Sequence, residues 1–311
     1  MAERKIGVLV MSYGTPESMD DIEEYYTHIR RGKPPTKEQL EDLTSRYEAI
    51  VGGFFPLRKN TDRQVEALQQ TLDRIAPGKY VCYQGLKHAR PYIEDGVTQM
   101  AADGLKEAVG IVLAPHYSIM SVGGYIKRAK ETAEQCGLQM RFVKSYHLHP
   151  KLISALTERV RNGLDMFGPD AAASTVKVLF SAHSLPERIL TMNDPYQDQL
   201  LATSSAIAEA AGVTDWQFTW QSAGQTREPW LGPDILETLT EVSRRGFKHV
   251  LSAPIGFVSD HLEVLYDIDI EAKAAAGQLG MRLERIEMLN TDPLYMETLA
   301  ESVIEAEPER G

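Results

Sequence analysis

A histidine at the end of a buried strand is the first residue of this sequence that could do chemistry. His183 lies in the stretch Leu179-Phe-Ser-Ala-His183-Ser-Leu-Pro186-Glu187, where a β-prone apolar run comes before it and a proline that stops strand pairing follows it. Ligands of α/β proteins bind at the carboxyl ends of parallel strands, and an imidazole exchanges protons near neutral pH. His183 is therefore a candidate base or metal ligand, although a histidine at this position can also simply cap a turn.

Three carboxylates recur every four residues in the segment 259–271. On a helix, Glu263, Asp267 and Glu271 would share one face, where like charges repel one another. The pattern fits either a solvated acidic face or a track for a divalent cation. Oxygen and nitrogen ligands from Glu263 and His183 would suit Fe²⁺ or a similar first-row metal. Such a site, with only two or three protein ligands, would be open and would suit a metal that is passed on.

Basic residues gather in the first part of the chain. They are Arg30, Arg31, Lys33 and Arg46, the last of which is followed by Tyr47. Arginine binds carboxylates through two parallel hydrogen bonds and stays charged, although simple solvation at the surface would also explain these residues. The loop 52–56 adds two phenylalanines. Apolar surface edged by arginines would suit a flat apolar molecule that carries carboxylate groups.

Composition excludes several classes of function. The chain has 311 residues, a net charge of −11 and an isoelectric point near 5.3, which argues against binding to nucleic acid or to anionic membranes. Its two cysteines form no CxxC pair, so no disulfide framework or cysteine metal site is expected. No apolar run approaches the ~20 residues that span a bilayer, and the run Ile6 to Met11 lacks the cleavage region of a signal peptide. We therefore expect a cytoplasmic protein.

Short apolar runs alternate with amphipathic stretches along the chain. The predicted strands are Ile6–Met11, Tyr80–Gln84, Gly110–Ala114, Arg141–Tyr146, Val176–Phe180, Trp216–Trp220 and His249–Ala253. The predicted helices are Met19–Arg30, Lys37–Ala49, Thr61–Ile75, Tyr92–Asp103, Gly123–Cys136, Pro150–Asp165, Asp198–Ala211, Pro233–Arg245 and His261–Ala275. This alternation predicts an α/β fold with parallel sheets that are covered on both faces.

The two halves of the chain resemble each other. The stretch from Val8 to Glu17 aligns without a gap on the stretch from Val178 to Glu187, so that Tyr13 falls on His183. Later in each half, a strand runs into Ala-Pro. The repeat predicts two similar domains, over 1–165 and 166–290, followed by a C-terminal helical tail over 291–311, with Ala171–Ser174 as a connector. If the domains face each other across a cleft, Tyr13 and His183 look at one ligand from opposite sides.

Several long motifs in matching order resemble the ferrochelatase family, and most of all its soluble bacterial members that act on coproporphyrin III. The resemblance runs from about Lys5 to Asp292. The motifs include Val10-Met-Ser-Tyr13-Gly-Thr-Pro16, Tyr25-Tyr-Thr-His-Ile-Arg30, Arg46-Tyr47-Glu-Ala-Ile, Gly85-Leu-Lys-His88, Ser181-Ala-His183-Ser-Leu-Pro-Glu, Pro229-Trp-Leu-Gly-Pro-Asp234 and Gly256-Phe-Val-Ser-Asp-His-Leu-Glu263.

This resemblance implies two Rossmann-like domains of the chelatase type around a central porphyrin cleft. It implies that the enzyme inserts Fe²⁺ into coproporphyrin III and gives Fe-coproporphyrin III (coproheme) in haem b biosynthesis. It makes His183 and Glu263 the residues that bind iron and handle protons, with a neutral His183 as the base. Tyr13 would face the opposite side of the macrocycle. The residues that would line the porphyrin are Tyr13, Arg30, Arg46, Tyr47 and Tyr125, and those that would extend the metal path are Asp267 and Glu271.

The resemblance also sets expectations about cofactors and partners. Fe²⁺ is a substrate, no tightly bound cofactor is expected, and the cysteines that hold an iron–sulfur cluster in animal relatives are missing. We expect a monomer with a small-molecule porphyrin substrate and transient contact with neighbouring haem-pathway enzymes. Phe55 stands where relatives tend to carry a serine, so the sequence leaves open whether the Phe54/Phe55 loop contacts the porphyrin. The alternatives are a ferrochelatase for protoporphyrin IX, a cobaltochelatase that acts on sirohydrochlorin, and a haem-binding carrier.

Overall fold

The computed structural model describes residues 5–50, 55–168, 175–224 and 226–307. The predicted connector 171–174 and the first part of the Gly-Gly loop lie outside these ranges. The strands of the described residues are β1 (Ile6–Ser12), β2 (Tyr80–Leu86), β3 (Glu107–Val112), β4 (Gln139–Phe142), β5 (Val176–His183), β6 (Trp216–Gln221), β7 (His249–Ala253) and β8 (Arg282–Arg285).

Helices fill the connections between these strands. They are α1 (Ile22–Ile29), α2 (Lys37–Ala49), α3 (Pro56–Ile75), α4 (Ile93–Ala102), α5 (Val122–Cys136), α6 (Pro150–Asp165), α7 (Tyr196–Ala211), α8 (Ile235–Arg244), α9 (Leu262–Leu265), α10 (Lys273–Gln278) and α11 (Pro293–Glu305). A π-helical segment, Asp267–Ala272, lies between α9 and α10. Among the described residues, no helix is long and apolar enough to cross a membrane.

Two parallel four-stranded sheets repeat one topology. We call the part of the molecule built on strands β1–β4 lobe 1 and the part built on strands β5–β8 lobe 2. The strand order is β2-β1-β3-β4 in lobe 1 and β6-β5-β7-β8 in lobe 2. In each sheet the strand order reverses between the two central strands, which makes that place the topological switch point. Parallel sheets bind ligands in the crevice outside the carboxyl ends of the strands at the switch point. The repeat thus gives each lobe one such crevice, and the predicted α/β class with two similar domains is confirmed.

The central strands are apolar on both faces because helices cover both sides of each sheet. All seven residues of β1 are buried, as are the first seven of β5. One buried cluster runs through both lobes and includes Val8 and Ile111 of lobe 1 together with Phe180 and Leu251 of lobe 2. The two sheets therefore share part of their hydrophobic core.

Two helices pack against the lobe that does not contain the strand preceding them in the sequence. Helix α6 follows β4 but packs on lobe 2, where a Cβ on Gly163 would come within 2.7 Å of the Leu251 side chain. Helix α11 follows β8 but joins lobe 1, since Tyr295 contacts Tyr146 through hydroxyl groups 3.2 Å apart. The domain boundaries at 165 and 290 stay a prediction.

Several predicted bounds were wrong: α3 begins at Pro56 rather than Thr61, and β3 and β4 begin at Glu107 and Gln139 rather than at Gly110 and Arg141.

Three further differences concern whole elements or helix ends. Strand β8 was not predicted, because its four residues are Arg-Leu-Glu-Arg and give no apolar run. Helix α8 begins at Ile235 with Asp234 as its N-cap, so Pro233 is not the first helical residue. The single helix predicted over 261–275 is interrupted, because the π-helical segment separates α9 from α10.

Gly256 lies where the loop after β7 crosses β5 at close range. A Cβ at this position would stand 2.4 Å from the Cβ of Ala182 and 2.8 Å from its Cα. Because the Cα belongs to a central strand, it cannot move aside. The glycine therefore sets how closely residues 256–263 approach the end of β5.

We predict that Gly256→Ala lowers the free energy of unfolding by about 1–3 kcal/mol, as expected for overpacking against backbone. Gly277→Ala is the matched control, because Gly277 lies in α10 and a Cβ added there would have no atom within 4 Å, so alanine should add roughly 0.5–1 kcal/mol. Urea denaturation of both variants measures the difference. Equal stability of the two variants would contradict the close approach.

Candidate active site

A cleft of about 480 Å³ lies between the carboxyl ends of the central strands of the two sheets. This volume is within the ~300–1,000 Å³ of small-molecule sites. Lobe 1 contributes residues 12–15 after β1 and residues 112–114 at the end of β3. Lobe 2 contributes His183 at the end of β5 and residues 256–259 and 261–263 after β7. Tyr13 and His183, which the internal repeat places in equivalent positions, thus both line this cleft.

The imidazole of His183 is oriented by a hydrogen bond to the backbone of the next residue. Its Nδ1 donates a hydrogen bond to the carbonyl oxygen of Ser184, which leaves Nε2 directed at the carboxylate of Glu263, 3.5 Å from Oε1. The two side chains are 33% and 36% exposed, so a molecule in the cleft can reach both. When His183 is neutral, Nε2 is free to accept a proton or to bind a metal.

Glu263 lies between two imidazoles at the start of α9. His261 donates from Nδ1 to the carbonyl oxygen of Ser259 at 3.0 Å, which directs its Nε2 toward Glu263 Oε2 at 3.6 Å. The backbone carbonyl of Glu263 accepts a hydrogen bond of 2.9 Å from Gln221. The described residues contain no preformed group of three or more His, Cys, Asp or Glu side chains that could hold a metal ion. His183 and Glu263 supply two donors.

The two partners shift each other's pKa. Burial disfavours a charged imidazole, but the carboxylate of Glu263 outweighs this effect and raises the pKa of His183 to about 9. Burial works against ionisation of Glu263 as well, yet His183 and His261 hold the pKa of this carboxyl well below its usual range. Both shifts favour a protonated His183 beside an ionised Glu263, while the role predicted for His183 as a base requires its neutral form. The histidine must lose its proton before it can act as a base.

The acidic track continues along the interrupted helix. The backbone N–H of Glu271 donates to the carbonyl of Tyr266 at 2.9 Å, a bond over five residues that marks the π turn. Asp267 is buried beneath the site, where it accepts a hydrogen bond from Ser222 and lies 3.6 Å from Arg46. Burial and the charge of Glu263 raise the pKa of Asp267 to about 6. Glu271 is exposed, so the three carboxylates lead from the cleft to the surface.

Tyrosines form the wall of lobe 1. The ring of Tyr13 packs on His88 with 4.6 Å between centroids, and the hydroxyl groups of Tyr47 and Thr15 are 3.1 Å apart. Burial raises the pKa of Tyr47 to about 12 and moves the pKa of Tyr13 and Tyr125 higher still, so all three are neutral phenols at neutral pH. The wall opposite His183 is therefore aromatic and uncharged at these positions.

The two predicted arginines lie at the margin of the cleft rather than in its lining. The guanidinium of Arg30 stands 5.7 Å from the ring centroid of Tyr26, which does line the cleft, and donates to the carbonyl of Lys33. Arg46 stacks on Tyr266 at 5.0 Å and pairs with Asp267. Both reach the site through a tyrosine or a carboxylate.

The sequence reasoning missed two residues of the site. His261 is not among the site residues that the sequence predicts, although its position two residues before Glu263 was a usable signal. Lys87 lines the cleft and lies 4.9 Å from the ring centroid of Tyr125. Its place directly after β2 could have indicated it. The next residue, His88, packs against the ring of Tyr13, and its Nδ1 is 3.0 Å from Nδ1 of His28.

Two loops contribute aromatic side chains near the cleft. Phe54 lies outside the described residues, while Phe55 is buried and packs on Tyr47 with 4.7 Å between ring centroids. Trp230, in the loop after β6, stands with its ring centroid 6.3 Å from that of His183. This second loop thus forms part of the wall beside the imidazole.

The chain matches known proteins over its whole length. The family model described as Ferrochelatase matches residues 5–307. A protein named Ferrochelatase from Herpetosiphon aurantiacus is 46% identical over 95% of this chain and 97% of its own length. Coproporphyrin III ferrochelatases of Geobacillus thermodenitrificans and Bacillus subtilis are 46% and 45% identical over 100% and 98% of this chain, and over 99% and 98% of their own lengths.

Solved structures of other chelatases share the fold. The SirB protein of Bacillus subtilis, solved with Fe³⁺, superposes with a TM-score of 0.62 at 11% identity, covering 97% of this chain and 95% of that one. At that identity the likeness concerns the fold alone. The match of the family model, together with the full-length relatives, goes further: the chain is a member of the ferrochelatase family.

Proposed function

We propose that the protein inserts Fe²⁺ into coproporphyrin III and gives Fe-coproporphyrin III (coproheme), a step of haem b biosynthesis. The observation that carries the proposal is the pair of His183 and Glu263, which faces an aromatic wall across a cleft of small-molecule size. An acidic track leads a cation toward that pair. The aromatic wall suits the face of a planar macrocycle.

The choice of coproporphyrin III rests on relatives and on charge. Relatives that are 45–46% identical over nearly the full chain carry the name coproporphyrin III ferrochelatase. Coproporphyrin has four carboxylate arms, and cationic side chains at the lobe 1 side of the cleft would neutralise them. We assign this role to Arg30 and Arg46, with Lys87 as a further cation and Tyr47 and Tyr125 as contacts to the ring.

Metal insertion needs a distorted ring and an exit for two protons. In a free porphyrin, two of the four ring nitrogens are bonded to hydrogen and offer no lone pair to a metal. While the ring is planar, the metal cannot reach all four nitrogens in the plane. Binding energy from the carboxylate arms, which are remote from the nitrogens, can hold the ring in a bent form. Tyr13 on one face and His183 on the other would fix the depth at which the ring lies.

His183 and Glu263 then act in sequence. Fe²⁺ would arrive along Glu271 and Asp267 and displace the proton of the imidazolium to solvent. Nε2 of His183 and the carboxylate of Glu263 would then hold the cation. When the metal moves to the porphyrin nitrogens, both groups are left without their cation. His183 can then take one pyrrole proton, because Glu263 raises the pKa of its imidazole. Glu263 stays ionised beside that imidazolium, so the second pyrrole proton passes by way of Asp267, whose pKa is about 6, to solvent. Tyr13 is proposed as an axial ligand of the iron in the product.

Iron enters this scheme as a substrate. The proposal includes no resident cofactor and no iron–sulfur cluster, and it treats the protein as a monomer that makes transient contacts with neighbouring haem-pathway enzymes. Protoporphyrin IX is the second candidate substrate, since it shares the macrocycle and differs in having two carboxylate arms.

We predict that coproporphyrin III is metallated with a higher kcat/KM than protoporphyrin IX, because two more carboxylates can pair with cations of lobe 1. Anaerobic assays with Fe²⁺ and each porphyrin, side by side, measure the ratio. A preference for protoporphyrin IX would refute the assignment of substrate. A haem-binding carrier would consume neither metal-free porphyrin under steady-state conditions.

We predict that His183→Ala lowers turnover by at least about 100-fold, which is the lower range for loss of a general base, while porphyrin affinity is unchanged. Porphyrin fluorescence quenching gives the affinity. His249→Ala serves as the control, because His249 begins β7 at the end of the sheet away from the cleft. Normal turnover of the His183 variant would defeat the assigned role.

We predict that Glu263→Gln reduces turnover more than it reduces affinity for the porphyrin. Glutamine keeps the shape of the side chain but can neither balance a metal ion nor hold the imidazolium of His183. Glu131→Gln on the exposed face of α5 is the matched control. Equal loss of turnover and of porphyrin affinity would instead indicate a structural role for Glu263.

A further inference from the structure

The segment that carries His261 and Glu263 is fastened to the rest of lobe 2 through Asp260. The backbone N–H of Asp260 donates to Oδ1 of Asn290 at 3.0 Å, and Nδ2 of Asn290 donates to Oδ2 of Asp260 at 2.7 Å. The backbone N–H of Asn290 also donates to the carbonyl of Val258 at 2.8 Å. Asn290 thus makes three hydrogen bonds with the residues directly before the metal-binding carboxylate.

Arg285 holds both flanks of the same segment. Its Nε and Nη2 donate to the two carboxylate oxygens of Asp269 at 2.7 and 2.8 Å, and Nη2 also reaches Oδ1 of Asp260 at 3.3 Å. Asp260 precedes Glu263 by three residues, and Asp269 lies in the π-helical segment after it. The guanidinium is 14% exposed, so solvent and salt screen these ion pairs less than surface pairs.

Lobe 1 contacts the same anchor. Nδ2 of Asn60 donates to the carbonyl of Asp260 at 3.1 Å, and Nε2 of Gln64 donates to the carbonyl of Asn290 at 2.8 Å. Both side chains belong to α3, and Gln64 is fully buried. The position of the Glu263 segment is therefore set by both lobes.

The backbone at Asn290 is in a conformation that costs free energy. Its φ of +45° lies in the left-handed region, which residues other than glycine adopt rarely. Strain of this kind persists only where surrounding contacts hold it, and it clusters at functional sites. The reciprocal hydrogen bonds to Asp260 are contacts that could hold it here.

We propose that Asn290 and Arg285 are positioning residues for the metal site. They fix Asp260, and through it they fix the carboxylate of Glu263 and the imidazole of His261 relative to His183. Residues behind metal ligands orient them, and their loss typically costs about 10–100-fold in metal affinity or activity. This inference rests on the proposed role of His183 and Glu263 in metal binding.

Asn290→Gly tests the proposal, because glycine adopts φ +45° without strain and removes only the amide. We expect the dissociation constant of Zn²⁺, measured by competition with a chelating dye in the absence of porphyrin, to rise about tenfold or more. Glu263→Gln in the same assay identifies the site that is measured. Coproporphyrin affinity should be unchanged, and the KM for metal should rise more than kcat falls. Asn193→Gly is the matched control, since Asn193 also has a positive φ of 50° but lies away from this anchor.

Arg285→Lys is the second variant, because lysine keeps the charge but cannot hold two carboxylates through one fork. If Asn290→Gly does not fold, this variant carries the test. Zn²⁺ affinity equal to that of the native protein in whichever variants fold would overturn the inference. Weakened Zn²⁺ binding in a protein that does not metallate any porphyrin would instead refute the proposed function and leave the positioning role standing.

Discussion

The site depends on keeping one partly buried carboxylate ionised inside the cleft. Burial works against the charge of Glu263, and two imidazoles at 3.5 and 3.6 Å reverse that effect. The same contact raises the pKa of His183, so neither partner has its usual pKa. Each imidazole is in turn oriented by a backbone carbonyl bound to its Nδ1. A divalent cation that replaces the proton between these groups leaves the carboxylate compensated throughout.

The internal repeat explains why this pair faces an aromatic wall. Both sheets have the same strand order, so the end of β1 and the end of β5 occupy equivalent places in their lobes. Tyr13 stands at one end and His183 at the other, and both line the cleft. Each lobe offers a ligand crevice at its own topological switch point. Because the two lobes face each other, their crevices form one site with two different walls.

The sequence predicted what is local and periodic. Seven strands, the α/β class and the adjacency of His183 to one wall of a cleft followed from apolar runs and from the repeat, because burial on both faces leaves a continuous apolar signature. Strand β8 was not predicted because an edge strand of four residues does not need a continuous apolar run. The π turn was not predicted because apolar and acidic residues in this segment keep the spacing of an ordinary α-helix. The role of His261 escaped because a contact with Glu263 depends on the extended backbone before α9, which spacing does not reveal.

Some charged residues of opposite sign lie on the two sides of the cleft. The net charge of −11 describes the whole chain, yet Lys87 in the cleft and Arg30 and Arg31 near it belong to lobe 1, while Glu263 and the acidic track belong to lobe 2. We infer that an anionic macrocycle would be attracted to lobe 1 and a cation to lobe 2. They meet only where the lobes meet, and there Arg46 of lobe 1 already pairs with Asp267 of lobe 2. The distribution of charge between the two lobes, rather than the net charge, therefore determines which ligands the cleft would attract.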